Sequence, residues 1–152
     1  MTRLYYGAVS DDALTAVRDR TQANRFWRHL GVDVADARPG WVRLRLRVRD
    51  DLCNAPGAPL HGGVYASLVD MAIGAALATQ RGAAGGAGGV DQTTLDLNVS
   101  FLAAVRDGEV FAEGRILRAG RTIVFGEATI TDAGGRLLAA GRATYMILSP
   151  RE

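Results

Sequence analysis

From Gly62 to Gln80 the chain reads GGVYASLVDMAIGAALATQ, a run that is apolar on nearly every side of a helix and too long for an ordinary strand. A helix with no polar face has to be covered on most sides, so the remaining elements must wrap it. They are of the right kind to do so. From Trp41 the period is two: Val42, Leu44, Leu46 and Val48 alternate with Arg43, Arg45, Arg47 and Arg49, a half-buried strand with an arginine-lined outer face.

Beyond a glycine-rich connector, RGAAGGAGG, the alternation resumes. Leu95, Leu97, Val99 and Phe101 alternate with Thr94, Asp96, Asn98 and Ser100; Val110, Ala112, Gly114 and Ile116 form the next inward face, and Val124, Gly126, Ala128 and Ile130 the one after. RAGR (Arg118 to Arg121) and DAGG (Asp132 to Gly135) separate these strands, and Leu137 to Leu148 closes the series. One long helix wrapped by an antiparallel sheet satisfies every apolar face, which predicts an α+β fold.

Ahead of this core, residues 11 to 30 place Leu14, Val17, Phe26 and Leu30 at helical spacing, with Asp11 or Asp12 near the N-cap and Gly31 at the end. Phe26 and Trp27 are expected to pack this helix onto the sheet, or to form a lid. Arg38-Pro39-Gly40 marks a turn, and DLCNAPGAPLHGG reads as a loop. The whole chain, 1–152, is expected to form one domain, with residues 1–39 as an N-terminal helix and lead-in and 40–148 as the core.

Composition narrows the function classes. The single cysteine, Cys53, leaves no disulfide framework and no CxxC pair for zinc, so no metal and no bound cofactor are expected. All 18 basic residues are arginine, yet the net charge is only +2 and the arginines are scattered rather than clustered, so nucleic acid is not an expected partner. No apolar stretch of signal-peptide length opens the chain and none of about 18 residues is expected to span a bilayer, which points to the cytoplasm.

Asp70 does not fit its surroundings. Among the charged side chains it stands alone between His61 and Arg81, flanked by Leu68, Val69, Met71, Ala72 and Ile73. A buried carboxylate needs hydrogen bonds, a counter-charge or water. Either Asp70 pairs with an arginine or lies on an exposed seam, or it faces a pocket as a base or nucleophile. The start of the helix bears on the choice. His61-Gly62-Gly63 puts small residues where the first backbone N–H groups have no intrahelical partner, a ready site for an oxyanion or polarised carbonyl. A helix N-terminus and a carboxylate are the two parts that hydrolysis of an activated acyl group requires. Gly62 and Asp70 are about 12 Å apart along one helix, however. If both serve one reaction they come from two subunits, with two such helices antiparallel about a two-fold axis.

The segment LHGGVYASLVD, with TTLDLNVSFL, the Arg118-Ala119-Gly120-Arg121 turn and DAGGRLLAAGRATYMI, resembles the hotdog-fold acyl-CoA thioesterases of the phenylacetate-pathway type over roughly residues 40 to 148. That resemblance implies the hotdog fold, an acyl-CoA substrate, and a homo-oligomer, either a dimer or a dimer of dimers. It also implies that Gly62 donates its N–H to the thioester carbonyl, with Asn54 in a loop position serving the same oxygen. Asp70 of the other subunit would activate water or attack, and Thr94 would help position the water. His61, Gly63, Arg118 and Arg121 would contact substrate, the two arginines at the nucleotide end of coenzyme A. Two departures stand out: Asn54 lies seven residues before His61, one more than the family spacing, and LAAV follows Phe101 where relatives carry Arg-Pro.

Three other readings stay in view. The pocket could bind or sense acyl-CoA without turnover, the chain could be a purely structural oligomer, or the substrate could be carried on an acyl-carrier protein. His61 reads more simply as a loop-holding residue than as a base, and Cys53 as a small buried side chain than as a nucleophile.

Overall fold

The computed structural model describes residues 11–80 and 92–148. Two short helices lead, α1 (Asp11–Ala23) and α2 (Arg25–Leu30), followed by strands β1 (Val32–Arg38) and β2 (Trp41–Arg47). After a single 3-10 turn at Asp50–Leu52 comes the long helix α3 (Gly62–Gln80), then β3 (Gln92–Phe101), β4 (Glu109–Ala119), β5 (Ile123–Asp132) and β6 (Leu137–Ile147). The strands form one sheet in the order β1-β2-β4-β5-β6-β3, antiparallel at every pairing, packed on α3. This is the α+β hotdog fold.

The sheet buries α3 as its sequence demands: Leu68, Val69, Ala72, Ile73, Ala76 and Leu77 have no exposed surface. Facing them are the inward positions expected of β2, β4 and β5, with Val42, Leu44, Leu46, Val110, Ala112, Val124 and Ile130 equally buried. Two strand glycines set the depth of contact. A Cβ on Gly114 would collide with the backbone carbonyl of Ala72, and one on Gly126 with Cγ2 of Ile73. By length and hydropathy α3 matches a membrane span, contrary to expectation; it is a core helix, and most of its apolar window lies inside the protein. Its C-terminal end is tied down by Thr79, whose buried hydroxyl accepts from Gly40 N–H at 2.8 Å at the β1–β2 turn.

Four expectations are corrected. The helix over residues 11–30 is two helices, because Asn24 leaves the helical conformation and its Oδ1 accepts from Phe26 and Trp27 N–H, capping α2. Gly31 ends α2 in the left-handed region as expected, with φ 76°. Strand β1 was not anticipated. Val32 and Val34 face inward, then a bulge between Val34 and Asp36 shifts the phase so that Ala37 is the next buried residue. A second bulge, between Thr94 and Asp96, does the same to β3. Thr94, expected on the outer face, therefore shares the α3 face with Leu97, Val99 and Phe101. Finally, Trp27 is half-buried against the core while Phe26 is 53% exposed, so only the tryptophan packs as expected.

β3 is an edge strand, and its apolar residues remain open: Leu97 is 38% exposed and Phe101 58%. The connector expected at residues 81–89, and the side chains of Asp11 and Asp12 expected to cap α1, lie outside the described residues.

Candidate active site

Thr94 on β3 and Tyr145 on β6 are register partners, so their side chains rise side by side toward the middle of α3. Asp70 meets them there. Tyr145 Oη donates to Asp70 Oδ1 at 2.5 Å, and Thr94 Oγ1 donates to the same oxygen at 2.7 Å. The phenol oxygen also lies 2.6 Å from the backbone carbonyl of Asp70. Burial first, and then the charge of Asp70, hold the Tyr145 phenol far above its usual pKa of 10.0. Tyr145 therefore remains a proton donor. Among the described residues no arginine pairs with Asp70 and nothing donates to its Oδ2. The carboxylate is half-buried, and both donors engage the same one of its oxygens.

Asp70 borders a cleft of about 280 Å3 between α3 and the α1–α2 pair. Its lining includes Met71, Gly74, Trp27 and Gln92 besides the Asp70, Thr94 and Tyr145 cluster. Gly74 makes the cluster possible, since a Cβ there would lie 3.1 Å from both Tyr145 Oη and Gln92 Nε2.

The second group of expected residues sits at the start of α3. His61 caps the helix: its Nδ1 accepts from Gly63 N–H at 2.8 Å, and its carbonyl accepts from Val64 N–H. The Gly63 amide is thereby committed within the chain. Gly62 N–H has no acceptor among the described residues, and the Phe101 ring stands beside its Cα, 3.4 Å from where a Cβ would be. Asn54 is exposed, and its Nδ2 donates to Pro59 O at 3.0 Å, folding the side chain back on its own loop. The Cys53 thiol donates to Arg49 O rather than to His61.

Arg118 and Arg121 form a third group at the opposite end of the sheet. Both are exposed, and Arg118 is the register partner of Phe125, whose side chain points away from α3. The chain thus brings Asp70 and Thr94 together and keeps Gly62, Gly63, His61 and Asn54 at one end and the two arginines at the other. Three residues of the central cluster escaped the sequence reading: Tyr145, Gln92 and Gly74. Tyr145 had a signal, since it follows the inward face Ala139, Gly141, Ala143 at period two. No group of three His, Cys, Asp or Glu side chains among the described residues is placed to hold a metal ion.

Known proteins resemble this chain in sequence and in fold. The model of the thioesterase superfamily matches residues 59–139. Human acyl-coenzyme A thioesterase 13 is 34% identical over 132 residues, which are 84% of this chain and 89% of that protein. The crystal structure of zebrafish thioesterase superfamily member 2 superposes with a TM-score of 0.76 at 27% identity, covering 93% of this chain and 100% of that one. The Escherichia coli PaaI protein shares the fold at a TM-score of 0.80 and 17% identity, over 93% and 97% of the two chains. The chain belongs to the thioesterase superfamily, and it is a thioester hydrolase.

Proposed function

We propose that this protein hydrolyses acyl-coenzyme A thioesters to the free acid and coenzyme A, at sites shared between two protomers. The observation that carries the reading is Asp70, a carboxylate held through Oδ1 by Tyr145 and Thr94, with no described donor to Oδ2, in the lining of a cleft. In the reaction, Oδ2 takes a proton from water as the water oxygen bonds to the thioester carbonyl carbon. The developing oxyanion is held by Gly62 N–H at the start of the other protomer's α3. The carbon–sulfur bond then breaks, and the carboxyl group returns its proton to the leaving thiolate.

The shared site follows from the distance between Gly62 and Asp70, about 12 Å along α3. The open apolar edge of β3 supports it, since a strand edge carrying Leu97 and Phe101 calls for a partner. A two-fold axis at that edge sets the two α3 helices antiparallel, start to middle. Arg118 and Arg121 are assigned to the nucleotide end of coenzyme A, as guanidinium groups suit phosphate.

The test is thiol release from short-chain, medium-chain and aryl-acetyl coenzyme A thioesters by the native protein and Asp70→Asn. A loss of about a hundredfold or more, with folding and oligomeric state intact, supports the assignment. Equal activity would remove Asp70 from the chemistry and return His61 and Cys53 to consideration. Absence of turnover with retained binding of coenzyme A would leave a binding protein.

A further inference from the structure

Gly63, Ser67, Asp70, Gly74 and Ala78 follow one another at steps of three or four residues, so they lie along one side of α3. Asp70, Gly74 and Ala78 line the cleft of about 280 Å3 described above. Gly63 and Ser67 line a second cleft, of about 270 Å3, nearer the start of the helix. Helix α2 borders both: Asn24 and Trp27 belong to the wall of the first, Phe26 and Leu30 to that of the second. It therefore divides one side of the long helix into two chambers. The divider is anchored at both ends. Asn24 Oδ1 caps its start, Leu30 is buried, and Arg49 donates to the carbonyls of Leu30 at 2.8 Å and His29 at 3.2 Å. Trp27, half-buried against the core, is the largest side chain in the wall of the first chamber.

We propose that the cleft beside Asp70 receives the acyl group, and that Trp27 restricts it to short, unsubstituted chains by closing the way into the second chamber. The inference rests on Asp70 being the reacting carboxylate and adds the class of acyl group it acts on. Size is the first support. At about 280 Å3 the cleft lies at the lower bound of ligand pockets, roughly 300–1,000 Å3. From Asp70 to Ala78 its floor is about 12 Å long, and an extended chain covers that in about ten bonds. An acyl group whose carbonyl is at Asp70 therefore runs out of floor near that length. The lining is the second support, because its polar side chains other than Asp70 are engaged within the chain. Thr94 and Tyr145 donate to Asp70, Thr21 Oγ1 donates to Arg18 O at 2.8 Å, and Gln92 Nε2 donates to Gly74 O at 2.9 Å. What they leave to a ligand is the surface of Met71, Gly74, Ala75, Ala78 and Trp27, which suits methylenes.

The test is kcat/KM for saturated acyl-coenzyme A thioesters from butanoyl to hexadecanoyl, measured with the native protein, Trp27→Ala and Trp27→Leu. The native protein is expected to be most active at about ten carbons or fewer, and to lose about tenfold or more between hexanoyl and dodecanoyl. Trp27→Ala should raise the dodecanoyl-to-hexanoyl ratio by about tenfold or more. It should also lift the dodecanoyl value itself above the native one, which a merely loosened fold would not do. A native profile that does not fall by dodecanoyl, or a ratio unchanged in Trp27→Ala, would overturn the proposal. Should the alanine variant not fold, Trp27→Leu, which keeps an apolar contact with the core, carries the same comparison with a smaller rise. Asp70→Asn is assayed in parallel on the hexanoyl thioester, where failure of the Asp70 assignment appears as undiminished turnover, whatever the chain-length profile.

Discussion

Tyr145 and Asp70 are separated by 75 positions in sequence and joined by a hydrogen bond of 2.5 Å, with the phenol on the inward face of β6 and the carboxylate at the middle of α3. The bond does more than satisfy a buried hydroxyl. Tyr145 and Thr94 both donate to Oδ1, so the carboxyl group is held through that oxygen and Oδ2 is left without a described donor. Orientation of this kind acts on the chemical step rather than on substrate capture.

Removing either donor should therefore lower kcat by about tenfold with little change in KM, since a hydrogen bond to a charged group contributes about 1.5–3 kcal/mol. Tyr145→Phe and Thr94→Val are the variants to measure. Because both act on one oxygen, their effects should be coupled: the double variant should lose more than the product of the single losses, as the remaining donor partly compensates in each single variant. Strict multiplicativity would show that the two hydroxyls act independently.

Tyr145 also makes stability depend on alkaline pH. The folded state holds the phenol proton more tightly than the unfolded chain, chiefly through burial, so the folded pKa lies above the ordinary 10.0. Below pH 10 both states keep the proton and the contribution is constant. Above it the unfolded chain ionises while the folded protein does not, and stability falls with rising pH. Denaturant unfolding from pH 8 to 11 should show this fall in the native protein and a shallower one in Tyr145→Phe. Parallel slopes would mean that Tyr145 is not the group responsible.

The depth of α3 in the sheet is set by glycine rather than by side-chain fit. A methyl at Gly114 would meet the backbone of Ala72, which cannot swing aside as a flexible side chain can. Gly57, by contrast, has φ of +70° with no atom within 4 Å of a built Cβ. Gly114→Ala should cost about 3 kcal/mol or more by overpacking, and Gly57→Ala about 1 kcal/mol by backbone strain alone. Urea unfolding at fixed protein concentration separates the two, and equal costs would mean that the sheet shifts to accept the extra carbon.

What the sequence disclosed and what it hid follow from the range of the interactions. Asp70 was conspicuous because its neighbours in the chain are all apolar, and the faces of β2, β4 and β5 because alternation is local. The face of Thr94 was misread because one extra residue at the β3 bulge reverses every side chain beyond it. β1 stayed hidden for the same reason, since its bulge leaves only Val32 and Val34 in phase. The break at Asn24 was within reach, as asparagine is a strong N-cap. Tyr145, Gln92 and Gly74 could be assembled only by the sheet order, which sets β6 and β3 side by side beneath α3.

The proposed two-protomer site makes a prediction that no single-chain site shares. Gly62 is the first residue of α3, a position where proline is well accepted because the N–H it lacks has no intrahelical partner. His61, the residue before it, is the cap and lies outside the helix, which the restriction imposed by a following proline tolerates. Gly62→Pro should thus delete the oxyanion donor while α3 still forms, and Asp70→Asn should delete the base, leaving each homo-oligomer inactive. Mixing the two after dissociation and reassociation gives heterodimers in half the population, each with one intact Gly62 facing one intact Asp70. About a quarter of native activity per protomer should return. The mixture would remain inactive if Gly62 and Asp70 of the same chain served one thioester, whereas activity in Gly62→Pro before mixing would mean that the oxyanion donor lies elsewhere.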